Sequence, residues 1–310
     1  MSFSADVKNQ VTDAVLKSMN NGPTGECCAM AAACGLLLYS RLTDGTNSRC
    51  RCDSEKSARM TAELIASRFG VYTEMEQQSQ ERFTVRIPES AQRSEALSRV
   101  NEYVSESGGA IDEKELCALL TRKIAARECC RGAFVRGAFL AAGTIAEPDK
   151  AYSLEFVVRG SDLRDALIAI MAEAGVKCGA AERSGMSVAY IHDSEGMENA
   201  LALMGAGGAY FKLVDIKMER ELKNNANRQL NCDSANISKT VAAAAQQLSA
   251  IKRLKQSGAI SSLPPELREI AELRLENPEM SLRELGELLS EPLSRSGVNH
   301  RLKKIIELAE

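Results

Sequence analysis

The sequence predicts an α+β protein, in which an αββαββα unit occurs twice in tandem and is followed by an all-α C-terminal region. Three observations predict it. Residues 26–42 (ECCAMAAACGLLLYSRL) return without a gap as residues 128–144 (ECCRGAFVRGAFLAAGT), so that Glu26, Cys27 and Cys28 fall on Glu128, Cys129 and Cys130, and Gly35 falls on Gly137. Behind each copy, strand-like alternation and helix-like periodicity follow in the same order. Beyond residue 263 only helical patterns remain, punctuated by prolines and good N-caps.

Each repeat segment reads as a buried helix with a stripe of small residues, Ala31 and Gly35 in the first and Ala133, Gly137 and Ala141 in the second. Small side chains let two helices cross closely, by the steric logic of small-xxx-small contacts. The two copies are therefore expected to form a pseudo-twofold pair. After the first helix come an extended stretch with a turn at Asp44-Gly45, a strand over 48–52 and a helix from Ser54 to Phe69. A hairpin (VYTEMEQ and ERFTVRI) and a helix from Ser90 to Glu106 complete that copy. After the second helix come a turn at Glu147-Pro148-Asp149, the strand YSLEFVV at 152–158 and a helix from Asp162 to Ala174. The hairpin GVKCGAAE/MSVAYIH around Ser184-Gly185 and a helix from Ser194 to Met204 follow.

A chain of 310 residues with 45% hydrophobic and 26% charged residues can bury a proper core over two or three domains. With aromatics at 4% and no Trp, that core rests on Leu, Ile, Val and Ala. A net charge of -3 gives no global basic excess, so a nucleic-acid partner has to be sought in local charge. The N-terminus lacks the basic and apolar regions of a signal peptide, and no run is long and apolar enough to span a membrane. A cytoplasmic protein with no membrane partner is expected. Ten cysteines are present, but no CxxC pair, and the only histidines are His192 and His300. A zinc site wants paired ligands at short spacing. The cysteines are therefore read as reduced, small apolar residues, and no metal or cofactor is assigned.

The duplicated order and the glycine-bearing central helices resemble the LAGLIDADG homing endonuclease fold. The stretch VRGAFLAAGTI at 135–145 looks like that family's signature helix, with Gly137 and Gly143 at its two glycine positions. The resemblance implies a metal-binding acid just before the final glycine. That position here is Ala142, and in the first copy Ser40, or Tyr39 with a one-residue shift. Two-metal phosphodiester cleavage needs converging carboxylates. Asp44, Glu147 and Asp149 lie past the helix ends. The expectation is a nuclease scaffold with no catalytic residues, since fold does not imply function.

The C-terminal 50 residues read as a helix-turn-helix. Pro264-Pro265 opens a helix with Leu267, Ile270, Ala271 and Leu275 on one face, and Asn277-Pro278 stops it. Ser281 and Glu284 form a capping box for a helix with apolar Leu282, Leu285, Leu288 and Leu289, which Glu291-Pro292 breaks. Ser294 or Ser296 caps the last helix, whose apolar face is Val298, Leu302, Ile305, Ile306 and Ala309. Its other face carries Ser296, His300, Lys303 and Lys304, flanked by Arg295, Asn299 and Arg301. A recognition helix needs that separation: N-terminal residues for base edges, Lys and Arg for phosphates. Arg295, Asn299 and Arg301 carry the groups that pair with guanine or adenine edges.

A second basic stretch precedes it. From Lys212 to Lys255 there are nine cations and only four acids, Asp215, Glu219, Glu221 and Asp233. Residues 223–240 (KNNANRQLNCDSANISKT) show no clear amphipathic period, and a helix is expected to begin near Asp233 or Ser234. Asn and Ser here suit either an ordinary loop or a basic linker that tracks a DNA backbone. The segments NANRQLNCDSANISKT, LPPELREIAELRLENPEMSLRELGELL and LSRSGVNHRLKK, with the N-terminal FSADVKNQ, resemble the WhiA family nearly end to end. That resemblance implies a degenerate LAGLIDADG-like domain (1–220), a basic linker and helix (221–260) and a helix-turn-helix (261–310). It implies a sequence-specific, nucleoid-associated bacterial regulator tied to cell division, chromosome segregation and, in spore formers, sporulation. The implied partner is double-stranded DNA, with the transcription machinery or other regulators as further candidates. Site residues carried by the resemblance are those of the last helix (Ser294, Arg295, Ser296, Asn299, His300, Arg301, Lys303, Lys304) and Asn227, Arg228, Asn231, Asn236 and Lys239. A metal-dependent endonuclease with relocated ligands and a protein-interaction scaffold stay open as alternatives.

Overall fold

Two helices with matched glycines form the centre of the N-terminal part of the molecule. α2 (Pro23–Tyr39) and α6 (Glu128–Ala142) pack along one another more extensively than any other pair of described elements. A Cβ on Gly35 would sit 2.2 Å from the Phe134 carbonyl oxygen, and one on Gly137 would sit 2.0 Å from that of Ala32. Backbone touches backbone at this crossing, so the pseudo-twofold requires glycine at both positions. The computed structural model describes residues 2–20, 23–43, 48–80, 82–105 and 111–310. The chain resolves into two compact units, Met1–Arg220 and Glu221–Glu310.

In the first unit the second copy follows the expected order: α6, β4 (Gly143–Ile145), β5 (Leu154–Val158), α7 (Ser161–Glu173), β6 (Gly179–Arg183), β7 (Met186–Ile191) and α8 (Ser194–Met204). Ser184 (φ 52°) and Gly185 (φ 75°) both take positive φ between β6 and β7, as a two-residue type I′ hairpin demands. The first copy has α2, β1 (Cys50–Cys52), α3 (Glu55–Phe69), β2 (Glu74–Ser79), β3 (Arg82–Arg86) and α4 (Ser90–Val104). Its expected first strand is reduced to one bridge, Arg41 to Arg49. The expected turn at Asp44-Gly45 and the expected helix end at Glu106 lie outside the described residues. Both sheets are antiparallel, ordered β1-β3-β2 and β4-β5-β7-β6, so the Arg41 bridge holds the place that β4 holds in the second copy.

Two helices enter that the repeat reading passed over. α1 (Phe3–Met19) precedes α2, and α5 (Glu113–Ala125) precedes α6. α1 buries Phe3, Val7, Val11 and Val15, an i, i+4 stripe started by the Ser2 N-cap. α5 is capped by Asp112 and buries Leu116, Cys117, Leu120 and Ile124. Each copy is thus led by an amphipathic helix that covers the central pair.

α9 (Gly207–Gln256) is one continuous helix, which corrects the expectation of an irregular stretch up to Asp233. Every residue from 221 to 243 is exposed. The missing amphipathic period there is that of a helix with no buried face, not of a loop. Its two ends are packed, with Ala209 and Leu213 buried near the start and Ala250, Ile251 and Leu254 near the finish. Propagation between packed ends adds one hydrogen bond per residue without a new nucleus.

In the second unit a 3₁₀ turn (Ala259–Ser262) leads to α10 (Pro265–Glu276), α11 (Leu282–Glu287) and α12 (Arg295–Leu308). Their core joins Leu267 and Ile270 of α10, Leu285 of α11, and Val298, Leu302 and Ile305 of α12 to Ile251 and Leu254 of α9. Pro265 sits at the start of α10, and the Ser281–Glu284 capping box is complete. α11 stops at Glu287, short of the expected break at Glu291-Pro292. The chain turns there because the Leu293 N–H donates to the Gly286 carbonyl (3.0 Å) and the Ser290 N–H to the Glu269 carboxylate (2.6 Å). Leu289 is buried, while Leu288 is half exposed (51%).

Candidate nucleic-acid interface

The Ser294 hydroxyl caps α12 by accepting from the Gly297 N–H at 3.3 Å. With Val298, Leu302 and Ile305 buried, the opposite face presents Arg295, Ser296, His300, Lys303 and Lys304 to solvent, and Asn299 is half-buried. Arg301 departs from the sequence reading. Its side chain is only 19% exposed, and its guanidinium lies 3.5 Å from the Glu266 carboxylate of α10. The position explains it: three residues after Val298 and four before Ile305, Arg301 sits on the flank of the buried stripe. It faces the neighbouring helix rather than the open side.

Arg295, Ser296 and Asn299 border a cleft of about 790 Å³, whose other walls include Lys239 of α9, Arg274 of α10 and Arg283 of α11. No carboxylate side chain is among its lining residues. Arg274 is 3% exposed, and its Nη1 donates to the Met280 carbonyl at 2.5 Å. Burial lowers its pKa from the ordinary guanidinium value. Its Nε, and the Oε1 of the buried Gln247 beside it, have no hydrogen-bond partner among the described residues. Buried polar groups without partners are costly, and an acceptor or donor entering the cleft would relieve that cost.

The fold brings four of the sequence-derived candidates together here, Lys239, Arg295, Ser296 and Asn299. His300, Lys303 and Lys304 continue the exposed face of α12 away from the cleft. Asn227, Arg228, Asn231 and Asn236 lie exposed on α9, up to about three turns before Lys239. Asn236 donates to the Cys232 sulfur at 3.7 Å. Arg274 and Arg283 were missed. Each sits on one of the two helices before α12, and only the three-dimensional convergence brings them to the cleft that α12 borders.

The place where a LAGLIDADG nuclease keeps its metals has a different chemistry. The Tyr39 hydroxyl donates to the Leu163 carbonyl (2.6 Å), and Ser40 donates to the Leu37 carbonyl (3.2 Å). Ala142 closes α6 with no ligating group. Burial holds the Tyr39 phenol well above its usual pKa, so it is no anionic ligand. A cavity of about 630 Å³ at these helix ends is lined by Arg41, Arg49, Arg51 and Arg159, with Glu113 the one carboxylate among its lining residues. Hard divalent cations need several oxygen anions. This donor set does not fit such an ion. Among the described residues, no helix is long and apolar enough to cross a membrane.

Comparison with known proteins agrees with both units. The family model for the WhiA LAGLIDADG-like domain matches residues 131–223, and that for the WhiA C-terminal HTH domain matches residues 226–309. The chain is 33% identical to a probable cell division protein WhiA of Syntrophomonas wolfei, over 99% of this chain and 97% of the relative. It is also 33% identical to that of Clostridium perfringens strain SM101, over 100% of this chain and 98% of the relative. The crystal structure of full-length DUF199/WhiA from Thermotoga maritima matches with a TM-score of 0.55 at 22% identity, covering 100% of this chain and 98% of that one. At that identity the likeness is one of fold.

Proposed function

The chain belongs to the WhiA family, and from that premise we propose that it is a sequence-specific DNA-binding regulator of bacterial cell division and chromosome segregation, and of sporulation where the host forms spores. It works in the cytoplasm on the nucleoid, and it cuts nothing. The observation that carries this reading is the carboxylate-free cleft of Lys239, Arg274, Arg283 and Arg295 beside the N-terminal turn of α12. In a major groove, that turn points Arg295 and Asn299 at base edges. Ser296, His300, Lys303 and Lys304 face phosphates from the same helix, and Lys239 and Arg283 hold the backbone from the far side of the cleft. Asn227, Arg228, Asn231 and Asn236 extend the contact along α9. Arg301 serves as a strut between α12 and α10. In the duplicated body, a cation-repelling wall of arginines at the central helix ends favours a scaffold over a catalytic role.

DNA binding measured by fluorescence anisotropy across a salt series tests the reading. The full chain binds with a steep negative slope of log affinity against log salt. Replacing Arg295, Lys303 and Lys304 together by Ala reduces the magnitude of that slope by about 2, through the two phosphate-facing lysines, and weakens binding. Unchanged affinity and slope would overturn it. Mapping of chromosome-bound protein tests the specificity: shared sequence under the occupied sites supports base reading, and uniform occupancy removes it. Incubation of supercoiled plasmid with magnesium or manganese tests the absence of cleavage, and nicking that co-purifies with the chain would restore the endonuclease alternative.

A further inference from the structure

The crossing of α2 and α6 brings together two cysteine pairs separated by 102 residues. The Sγ atoms of Cys27, Cys28, Cys129 and Cys130 all lie within 4.8 Å of one another. Cys27 to Cys129 is 3.9 Å, and Cys129 to Cys130 is 3.9 Å. A tetrahedral tetrathiolate centre with metal–sulfur bonds of about 2.3 Å has sulfur–sulfur edges of about 3.8 Å. A disulfide would need about 2.05 Å. The two 3.9 Å separations are close to that edge, and all four cysteines are free rather than bridged. Cys28 and Cys130 are buried, Cys27 is half-buried and Cys129 is exposed, which gives a closed floor and an entry path.

The surroundings suit thiolates. Cys129 and Cys130 lie in the first turn of α6, where the positive end of the helix dipole favours negative charge. The Arg127 guanidinium hydrogen-bonds Cys27, and Arg136 carries its charge near Cys28. A divalent cation with four thiolates has a net charge of −2, which two guanidinium groups balance. Burial works to raise the Cys27 thiol, but hydrogen bonds from Cys130, Cys129, Arg127 and Cys28 together outweigh it and hold Cys27 below its usual pKa. Burial and the neighbouring sulfurs push Cys28 up to about 12.

We propose that Cys27, Cys28, Cys129 and Cys130 form a structural tetrathiolate site for a soft divalent cation such as zinc, stapling the two copies of the repeat across their pseudo-twofold. On binding, each thiol still protonated gives its proton to water and its sulfur lone pair to the metal, with no redox change. On this proposal these four cysteines are ligands, where the sequence reading took them as small apolar residues. The CxxC search fails here because neither segment holds a whole site. Each contributes one adjacent pair, and duplication supplies the other half.

Cobalt(II) is the probe. Titrated into the reduced, metal-free full chain, it should bind at about one equivalent with the intense thiolate charge-transfer and tetrahedral ligand-field bands of a four-sulfur site, and zinc should bleach them. Cys129→Ser, at the exposed corner, should weaken cobalt binding by more than about tenfold. Cys232→Ser, an exposed cysteine on α9, should leave it unchanged. Zinc should raise the thermal midpoint of the native chain but not of Cys129→Ser. Circular dichroism checks that the variant folds, and Cys27→Ser serves as the second variant. Absence of the bands at stoichiometric cobalt, equal binding by the serine variants, or a Cys27–Cys129 disulfide in air from a reduced form with no metal affinity would each overturn the site.

Discussion

Helices α6 and α12 are of nearly equal length, 15 and 14 residues, and they are constrained by different variables. α6 buries residues on all sides, among them Gly132, Ala133, Phe134, Gly137, Ala138 and Phe139. α12 buries one stripe, Val298, Leu302 and Ile305, and leaves its other face charged. On α6 the limiting quantity is volume, because carbonyl oxygens of α2 stand where a methyl group would go. On α12 it is charge, because the face turned away from its buried stripe carries Arg295, His300, Lys303 and Lys304 exposed to solvent. A helix at the centre of a fold is read by size, and a helix offered to a partner is read by what it leaves unpaired.

The largest effect follows from the first case. Gly137→Val places side-chain carbon where the Ala32 carbonyl oxygen lies, and neither backbone can yield without opening the crossing. The cost should exceed the ~1–3 kcal/mol of ordinary overpacking, leaving little soluble, cooperatively folding protein. Gly35→Val should be as damaging. Solubility and thermal melts of both variants decide it, and tolerance of either one breaks the pseudo-twofold account. Next in size is Leu302→Ala on α12. It empties the core of the second unit and should cost about 2–5 kcal/mol in denaturant unfolding. A loss below ~1 kcal/mol would mean that α12 is not held as its burial indicates.

Surface positions on α12 should behave in the reverse manner. Arg295→Ala should change stability by less than ~0.5 kcal/mol and weaken specific DNA binding by roughly 1–3 kcal/mol. Arg301→Ala should trade the two: about 0–1 kcal/mol of stability from the Glu266 pair and the packed stem, with a smaller effect on DNA. Parallel unfolding and anisotropy measurements on the two variants sharpen the contrast. Equal DNA defects would place Arg301 back on the open face.

Much of this was legible in the sequence, for physical reasons that particular elements show. The Ser184-Gly185 hairpin, the Ser281–Glu284 capping box and Pro265 at a helix start depend on local backbone chemistry, so the residues announce them. Gly35 and Gly137 were legible because duplication made a steric requirement appear twice. The helical state of residues 221–232 was hidden because the stretch has no buried face and so no periodicity to detect. Arg274 in the cleft and the four-cysteine cluster were hidden for another reason. Both depend on which distant elements meet, and a linear spacing rule cannot express that. Arg301 shows the same limit on a single helix: charge type is visible in sequence, but a position at the edge of the stripe leaves its direction to the neighbouring helix.

The smallest effect lies in α11, whose six residues hold Leu285 and Gly286 under α12. Ser281→Ala removes the hydroxyl that accepts from the Glu284 N–H (3.3 Å) and should cost about 1 kcal/mol. The reciprocal bond, from the Ser281 N–H to the Glu284 carboxylate (2.7 Å), remains possible in that variant. That backbone bond, and after it the Ser281 side chain, hold the Glu284 carboxyl below its ordinary pKa. A carboxyl depressed in the folded state stabilises above its unfolded pKa and loses that contribution as pH falls through the folded value. Acidification below the usual carboxylate range should therefore loosen α11. In an NMR titration, Glu284 of Ser281→Ala should move only part of the way back toward the ordinary value, because the backbone donor survives. Full reversion would mean that the hydroxyl, not the backbone, anchors the box.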